Sequence, residues 1–413
     1  MTHLIVSTIR RNIPHTESSG FVYVIDAEKQ RVLQRSEMIE PAFREVDTNP
    51  RGGMRGMRGM FIRDNQIVMA NASIIYRYDS NWDLLGIISH PSAAAIHDII
   101  LDGETLWATS ARNDLVLQFD LAGNLLQHFY LREASLANRS LKWKPPVALQ
   151  TQSTANGEVD FRDPLSHEEE KYDRAHVNSI CQLADKSLLV SMGLVLGTKF
   201  FALLYLKSTL LKVGLYDHLL AVNRKIRSTL KMKNHMHSDL VVQPASGQSA
   251  IIRLSPDGNH RLVLALENIT VPSHSLLPIA DGTAVYLNTT AGVVVRFGPD
   301  DGRIISTTKV TDGFLRGVTA LGPKSLVMGS KQEIIFFDPH SCQVKSTFRY
   351  TSDPNESIYD IKVLPDHFQL PPPSFEGHFQ QITGVKSLDL PEQNYRLPRI
   401  KSPEEQLVSP PVR

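Results

Sequence analysis

The feature that most constrains this chain is an internal repeat of about 40 residues, because a fixed period of that size dictates the fold before any single element is assigned. Residues 96–129, IHDIILDGETLWATSARNDLVLQFDLAGNLLQHF, alternate short β-type runs with Asp-Gly, Arg-Asn-Asp and Ala-Gly-Asn turn clusters. That is the pattern of an antiparallel meander. RGMFIRDNQIVMANASIIYRYDSNWDLLGII, from Arg58, aligns with it at an offset of 39, and the stretches from His274 and Arg316 repeat the same order of runs and turns. NSICQLADKSLLVSMG, from Asn178, matches the first half of a unit, whose second half resumes as SAIIRLSPDGNHRLVLAL at Ser249. The two ends supply a sixth unit: LIVSTI, GFVYVIDAEKQ and RVLQRSEM are three strands without a first, and SIYDIKVLP at 357–365 is a first strand with nothing after it. Pairing them closes an all-β ring of six four-stranded sheets, whose radial repetition leaves only short, protected edges. Two separate β-sandwiches would leave the half-units at the ends unexplained.

Composition narrows the function classes. The chain has 413 residues with 44 Lys and Arg against 43 Asp and Glu, so it lacks the generally basic surface of a nucleic-acid binder. Two cysteines, Cys181 and Cys342, cannot build a disulfide framework or a thiolate zinc site. No P-loop, dinucleotide fingerprint, G-x-S-x-G or H-E-x-x-H occurs, and no nucleotide cofactor is expected. RGGMRGMRGM is basic and Gly-rich but lacks the aromatics of an RNA-binding arm. The N-terminal apolar run is short and is followed by Arg10 and Arg11, not preceded by them, so the expectation is a cytoplasmic monomer that could lie against the inner face of a membrane. The propeller is expected over 1–386, and the proline- and charge-rich 387–413 reads as a disordered or lightly docked tail.

Six hydrophobic first strands and the hairpins IYRYDSNWD, LQFDLAGN, IRLSPDGN, VRFGPDDG, IFFDPHSC and YVIDAEKQ resemble those of six-bladed β-propellers of the NHL-like and lactonase-like group, over roughly residues 3–366. The resemblance implies an architecture closed by N- and C-terminal strands sharing one blade. It implies no activity, because unrelated sites recur on this scaffold.

Aligning the six units places Arg58, His97, Asn178, His274, Arg316 and Tyr359 at one equivalent position, where each first strand enters the central channel. Their separations of 39, 81, 96, 42 and 43 are one blade each apart from two long insertions. His176 lies two residues before Asn178, so strand periodicity puts both on one face. Arg316, Tyr359 and Arg58 fall on three consecutive blades and His97, Asn178 and His274 on the other three. Two guanidiniums facing a narrow channel suit a carboxylate, phosphate or sulfate, so Arg58, Arg316 and Asn178 are the candidate ligand-binding residues. His97, His274 and Tyr359 are the candidate catalytic residues, and His97, His176 and His274 the candidate ligands of a divalent metal such as zinc, iron or manganese. The six-bladed amidating lyases, which the ring also resembles, bind zinc through three channel histidines with Arg and Tyr nearby. That resemblance implies the same places for His97, His274 and His176, although Asn178 stands where a third His is expected. Water-bound polar residues at an open mouth are the plain alternative.

The insertions at 131–175 and 198–245 both leave from the channel-mouth face. The first carries LKWKPPVAL, whose Trp143 could cap a ligand, and SHEEEKYDR. In the second, 198–233 is rich in helix formers, lacks proline and counts eight Lys or Arg against one Asp, which predicts one long or two short basic amphipathic helices in blade 3. His235 and His237 follow it. Lysines interrupt its apolar run far short of the ~20 residues of a membrane span, leaving contact with a membrane surface or a partner protein, or a helical hairpin packed on the propeller. Two functions therefore stand: an enzyme of the lyase, hydrolase or isomerase type acting on an anionic small molecule at the channel mouth, or a non-catalytic scaffold that binds through its top face and 198–233.

Overall fold

A computed structural model of the chain describes residues 2–14, 17–41, 56–131, 159–167, 173–195, 206, 209–229 and 247–375. The chain opens with β1 (His3–Arg10), β2 (Phe21–Asp26) and β3 (Arg31–Glu37). Blade 1 follows as β4 (Met60–Arg63), β5 (Gln66–Ala70), β6 (Ile75–Asp79) and β7 (Leu84–Ile88), and blade 2 as β8 (Ile96–Asp102), β9 (Thr105–Ser110), β10 (Leu115–Asp120) and β11 (Leu125–Tyr130). Blade 3 comprises β12 (Val177–Gln182), β13 (Leu188–Val195), β14 (Gly247–Leu254) and β15 (His260–Ile269), with helix α1 (Tyr216–Thr229) in the connection from β13 to β14. Blade 4 is β16 (His274–Pro278), β17 (Ala284–Asn288), β18 (Val293–Phe297) and β19 (Ile304–Lys309). Blade 5 is β20 (Arg316–Gly322), β21 (Ser325–Ser330), β22 (Glu333–Asp338) and β23 (Gln343–Arg349), and β24 (Glu356–Leu364) ends the series.

These strands form six antiparallel four-stranded sheets, the last ordered β24-β1-β2-β3. The chain is a six-bladed β-propeller. Blade 6 closes it as the half-units at the two ends imply: β1 pairs with β24 from His3↔Leu364 to Arg10↔Glu356. The segment after β24 adds a second clasp. Trp82 donates its indole N–H to the Gln369 carbonyl at 2.7 Å, Phe368 and Phe375 pack on its ring, and the Glu37 backbone donates to the Pro373 carbonyl and accepts from the Phe375 N–H. The 386 boundary, the tail, Trp143, His235 and His237 lie outside the described residues.

The core is divided into six apolar wedges, one at each blade junction. Ile100, Trp107 and Val116 of blade 2 meet Val190 and Ile252 of blade 3 in one such wedge, and Tyr76, Tyr78 and Trp82 of blade 1 meet Ile5 and Val22 of blade 6 in another. Alternation within each strand feeds both flanking wedges, while outermost strands such as β19 and β23 turn their polar side chains outward.

Near the axis, the wedges give way to a polar girdle. The residues immediately after the six aligned positions are Gly59, Asp98, Ser179, Ser275, Gly317 and Asp360. Four of these side chains accept a backbone N–H from the next blade: Asp360 from Met60 at 2.9 Å, Asp98 from Ile180 at 3.1 Å, Ser179 from Ser275 at 2.7 Å and Ser275 from Gly317 at 2.8 Å. The other two junctions close by bare backbone approach. A Cβ on Gly59 would lie 2.6 Å from the Asp98 Cα, and one on Gly317 3.0 Å from the Asp360 Cα. Gly59→Ala is therefore expected to destabilise the fold by about 1–3 kcal/mol, because backbone cannot move aside as a side chain can. Denaturant unfolding of the variant against wild type measures it, and an unchanged midpoint would show that the blades slide apart at little cost.

Candidate active site at the channel mouth

The first strands do not run evenly into the channel. Their ladders skip register at Ile96/Ile99, Val177/Ser179, His274/Leu276 and Arg316/Val318, so one or two residues per blade bulge out of the sheet where the strand meets the mouth. A bulge re-aims side chains that a regular strand would send to its two faces. Here it gathers His97, His274, Arg316 and Tyr359 into one cluster, all at least nine-tenths buried.

His97 is its centre. Its ring stacks on His274 at 5.3 Å between centroids and meets His176 edge-on at 4.8 Å. Its Nδ1 lies 3.0 Å from an Arg316 Nη2 and 2.5 Å from the Tyr359 hydroxyl. The Arg316 guanidinium sits 3.3 Å over the Tyr359 ring and that of Arg58 lies 5.7 Å from it, cation–π contacts that hold both cations beside the imidazoles. Arg11, from the end of β1, is a third positive charge felt by Tyr359, Arg316 and His274.

Burial, then the neighbouring cations, push the His97 and His274 pKa values well below the ordinary range, so both rings are neutral at pH 7. Burial also pulls Arg316 down to about 9, which leaves it charged, and raises the Tyr359 phenol against the pull of the three arginines. Tautomers follow from the partners. Arg316 can only donate, so Nδ1 of His97 accepts and the ring proton sits on Nε2. His176 is the reverse: its Nδ1 lies 2.8 Å from an Asp173 carboxylate oxygen, which can only accept, so Nδ1 carries a proton and the lone pair of the neutral ring is on Nε2. The Nδ1 of His274 is 3.3 Å from the Thr289 hydroxyl, and its buried Nε2 has no hydrogen-bond partner within the described protein.

The candidate residues thus part company in one place. Asn178, expected to present its amide to a ligand, donates to the Ser273 carbonyl at 2.5 Å and accepts from Ser191 at 3.0 Å, so its amide braces blade 3. The skipped register at Val177/Ser179 breaks the alternation that would have put Asn178 and His176 on one face, and His176, at φ +48°, occupies blade 3's share of the mouth. Asp173 and Arg11 were not singled out from sequence. Asp173 has only its three-residue spacing to His176 as a signal, and Arg11 reaches the channel from the strand that closes the ring.

His97, His176 and His274 bring ligating nitrogens within 4.8 Å of one another, near enough to hold a metal ion. The buried, unpartnered Nε2 of His274 and the bare Nε2 of His176 suit that role. His97 does not, because its Nδ1 is capped by Arg316 and Tyr359 and its Nε2 carries the proton. Three guanidiniums nearby also oppose an added cation. By spacing the triad could hold a metal, and binding one through His97 would require its Nε2 to give up its proton beside those cations.

No protein-family model matches the chain, and neither does any curated protein. Among solved structures, it is similar to one in a nidogen/laminin complex, at 12% identity over 88% of this chain and 98% of that one, with a TM-score of 0.49. A catalytically inactive variant of virginiamycin B lyase from Staphylococcus aureus with quinupristin matches at 11% identity over 73% and 72%, TM-score 0.41. A protein of unknown function from Bacteroides caccae matches at 10% identity over 88% and 99%, TM-score 0.47. The architecture is that of the six-bladed propellers, as the repeat implied. These likenesses concern architecture alone.

The depressed histidines set a pH dependence. A ring that binds its proton less readily when folded favours the unfolded chain once pH drops below the unfolded value of about 6.5. The melting temperature is therefore expected to fall between pH 7 and pH 5, and to fall less in His274→Gln, which keeps a polar atom in place. Equal losses in both proteins would mean that His274 is not buried as a neutral ring.

Proposed function

We propose that the channel mouth is an enzyme site that binds a small carboxylate or phosphate ester and carries out proton-transfer chemistry of the lyase or isomerase type. The observation that carries this reading is the opposite tautomers of two adjacent histidines. His176, oriented by Asp173, offers a lone pair and is the base; His97, oriented by Arg316, offers an N–H and is the acid. Arg316 and Arg58 hold the anion and support charge that develops on an enolate oxygen, while the Tyr359 O–H, 2.5 Å from Nδ1 of His97, helps fix that ring. In the reaction, the C–H bond beside the substrate's acyl group breaks, its proton passes to Nε2 of His176, and its electron pair forms the double bond. The leaving group departs with the Nε2 proton of His97 in an elimination; in an isomerisation that proton returns to the neighbouring carbon. Both rings regain their starting states by exchange with water. His274 packs against His97 and keeps that face of the site dry. A metal is not required by this scheme.

The test pairs 15N spectra of the histidine rings with exchange in heavy water. Nδ1–H at His176 and Nε2–H at His97 are expected, together with deuterium entry next to the carboxylate in a panel of hydroxy- and acyloxy-dicarboxylates. Exchange should be lost in His176→Ala but kept in His97→Ala, which blocks only the later step. A proton on Nδ1 of His97, or zinc, iron or manganese bound one per chain and lost in His97→Ala, would overturn the reading in favour of a metal site.

A second reading rests on a separate observation. Leu215, Leu219, Val222 and Ile226, three or four residues apart, are 51%, 39%, 54% and 51% exposed, so α1 presents an apolar stripe while Tyr216 anchors it. Lys212 and Lys225 lie on the same segment. Among the described residues no helix is long and apolar enough to cross a membrane. We propose that this stripe rests on an anionic bilayer and brings the mouth close to it. Sedimentation with phosphatidylserine vesicles is expected for wild type and to be lost in Val222→Glu/Ile226→Glu with the melting temperature unchanged. Equal sedimentation of both proteins would remove α1 from any membrane contact.

A further inference from the structure

The girdle divides the channel, and on its far side lies a second cavity of about 560 Å³. It is walled by the first strands of all six blades and is mostly apolar: Ile62, Ile99, Ile180, Leu277, Ala320 and Val363 come one from each. Its size falls within the range of small-molecule sites, its charged lining is Arg63, Asp98 and Lys362, and Asp360 lies beside it against Lys362. They are not evenly matched. Lys362 places its ammonium 2.9 Å from both carboxylate oxygens of Asp360. Asp98 accepts only backbone N–H groups, from Ile99 at 3.0 Å and Ile180 at 3.1 Å, and no basic side chain bonds to it. It is also partly open, whereas His97 beside it is buried.

We infer that this cavity is a second binding site, separate from the mouth, for a small molecule with a protonated amine and an apolar body, its ammonium bonded to Asp98 and its body against the six-strand wall. Lys362 is taken up by Asp360 and Arg63 lies 3.5 Å from Asp102, so Asp98 is the carboxylate of the lining with no cation bonded to it. An anionic ligand would face both acids, and a hydrated ion would waste the apolar wall. Cys181 on β12 is a buried thiol that burial holds protonated, β16 and β20 bring only Leu276, Leu277, Pro278, Thr319 and Ala320, and Arg63 on β4 pairs with Asp102 on the β8 side, so an ammonium would meet Asp98 with no cation already bonded to it.

The experiment is calorimetric titration of the full chain with phenethylamine and with 3-phenylpropionate, which share an apolar body and differ in charge. Saturable one-to-one binding of the amine and no binding of the carboxylate are expected. Asp98→Asn should abolish amine binding. Ala320→Phe, which fills the wall without touching charge, should weaken it at least tenfold, so the inference does not hang on a girdle variant that might unfold. Binding of the carboxylate alone would make Lys362 the anchor and overturn the inference, as would unchanged amine binding in Asp98→Asn or no binding of either probe.

Discussion

Everything at the axis of this molecule depends on the girdle of hydrogen bonds that joins each first strand to the next. A bulged strand frees a backbone N–H from its own ladder, and a buried N–H without a partner costs about 1–3 kcal/mol. The chain meets that cost across the blade boundary, so the same bulges that aim side chains at the channel also tie neighbouring blades together. The two aspartates of the girdle each follow a glycine on the preceding blade, Asp98 after Gly59 and Asp360 after Gly317. With no Cβ between them, the backbones approach closely enough there that no side-chain bridge is needed, and each aspartate is left to reach forward to the blade beyond it.

The girdle also sorts charge along the axis. Arg58, His97, Arg316 and Tyr359 line the mouth, and the residues next to them in sequence, Gly59, Asp98, Gly317 and Asp360, line the waist. One side of the waist is therefore positive, from Arg11, Arg58 and Arg316, and the other carries Asp98 and Asp360 with Lys362. A narrow, low-dielectric passage focuses such a field. The neutral histidines fit this arrangement: with guanidiniums this close, a protonated His97 would add like charge in a buried place, and the ring gives up its proton first.

How much of this was legible in the sequence depends on how far each signal travels along the chain. The propeller was legible because its unit recurs, and the shared sixth blade because each end lacks what the other supplies. The ring of six positions was legible for the same reason, and four of its members, His97, His274, Arg316 and Tyr359, do meet. Direction was not legible. Strand alternation assigned Asn178 and His176 to one face, and a one-residue bulge, invisible in composition, separated them. The aspartates were hidden inside runs such as HDIIL and YDIKV that read as hydrophobic strands. Arg11 was hidden because the groups it faces lie on other blades, Asp173 because a three-residue spacing to His176 at the end of an irregular entry loop is a weak signal, and the exposed stripe of α1 because spacing shows that a helix has an apolar face but not what, if anything, covers it.

The remaining question is how a nearly sixfold scaffold would make the two neighbouring histidines differ, as the proposed acid and base require. Six equivalent positions, each filled by a histidine in the same surroundings, would have the same tautomer and the same basicity and could not divide a proton transfer between them. The chain breaks the symmetry through neighbours. Blade 5 places an arginine, which can only donate, against Nδ1 of His97, and the insertion before blade 3 places a carboxylate, which can only accept, against Nδ1 of His176. Blade 3 makes room for that ring by turning its own aligned residue, Asn178, into the wall, where it braces the strand that carries His176. The departures from the repeat at blade 3, an extended entry loop, a bulge and a withdrawn asparagine, are thus parts of one change, and that change is what allows two imidazoles 4.8 Å apart to hold their protons on different nitrogens.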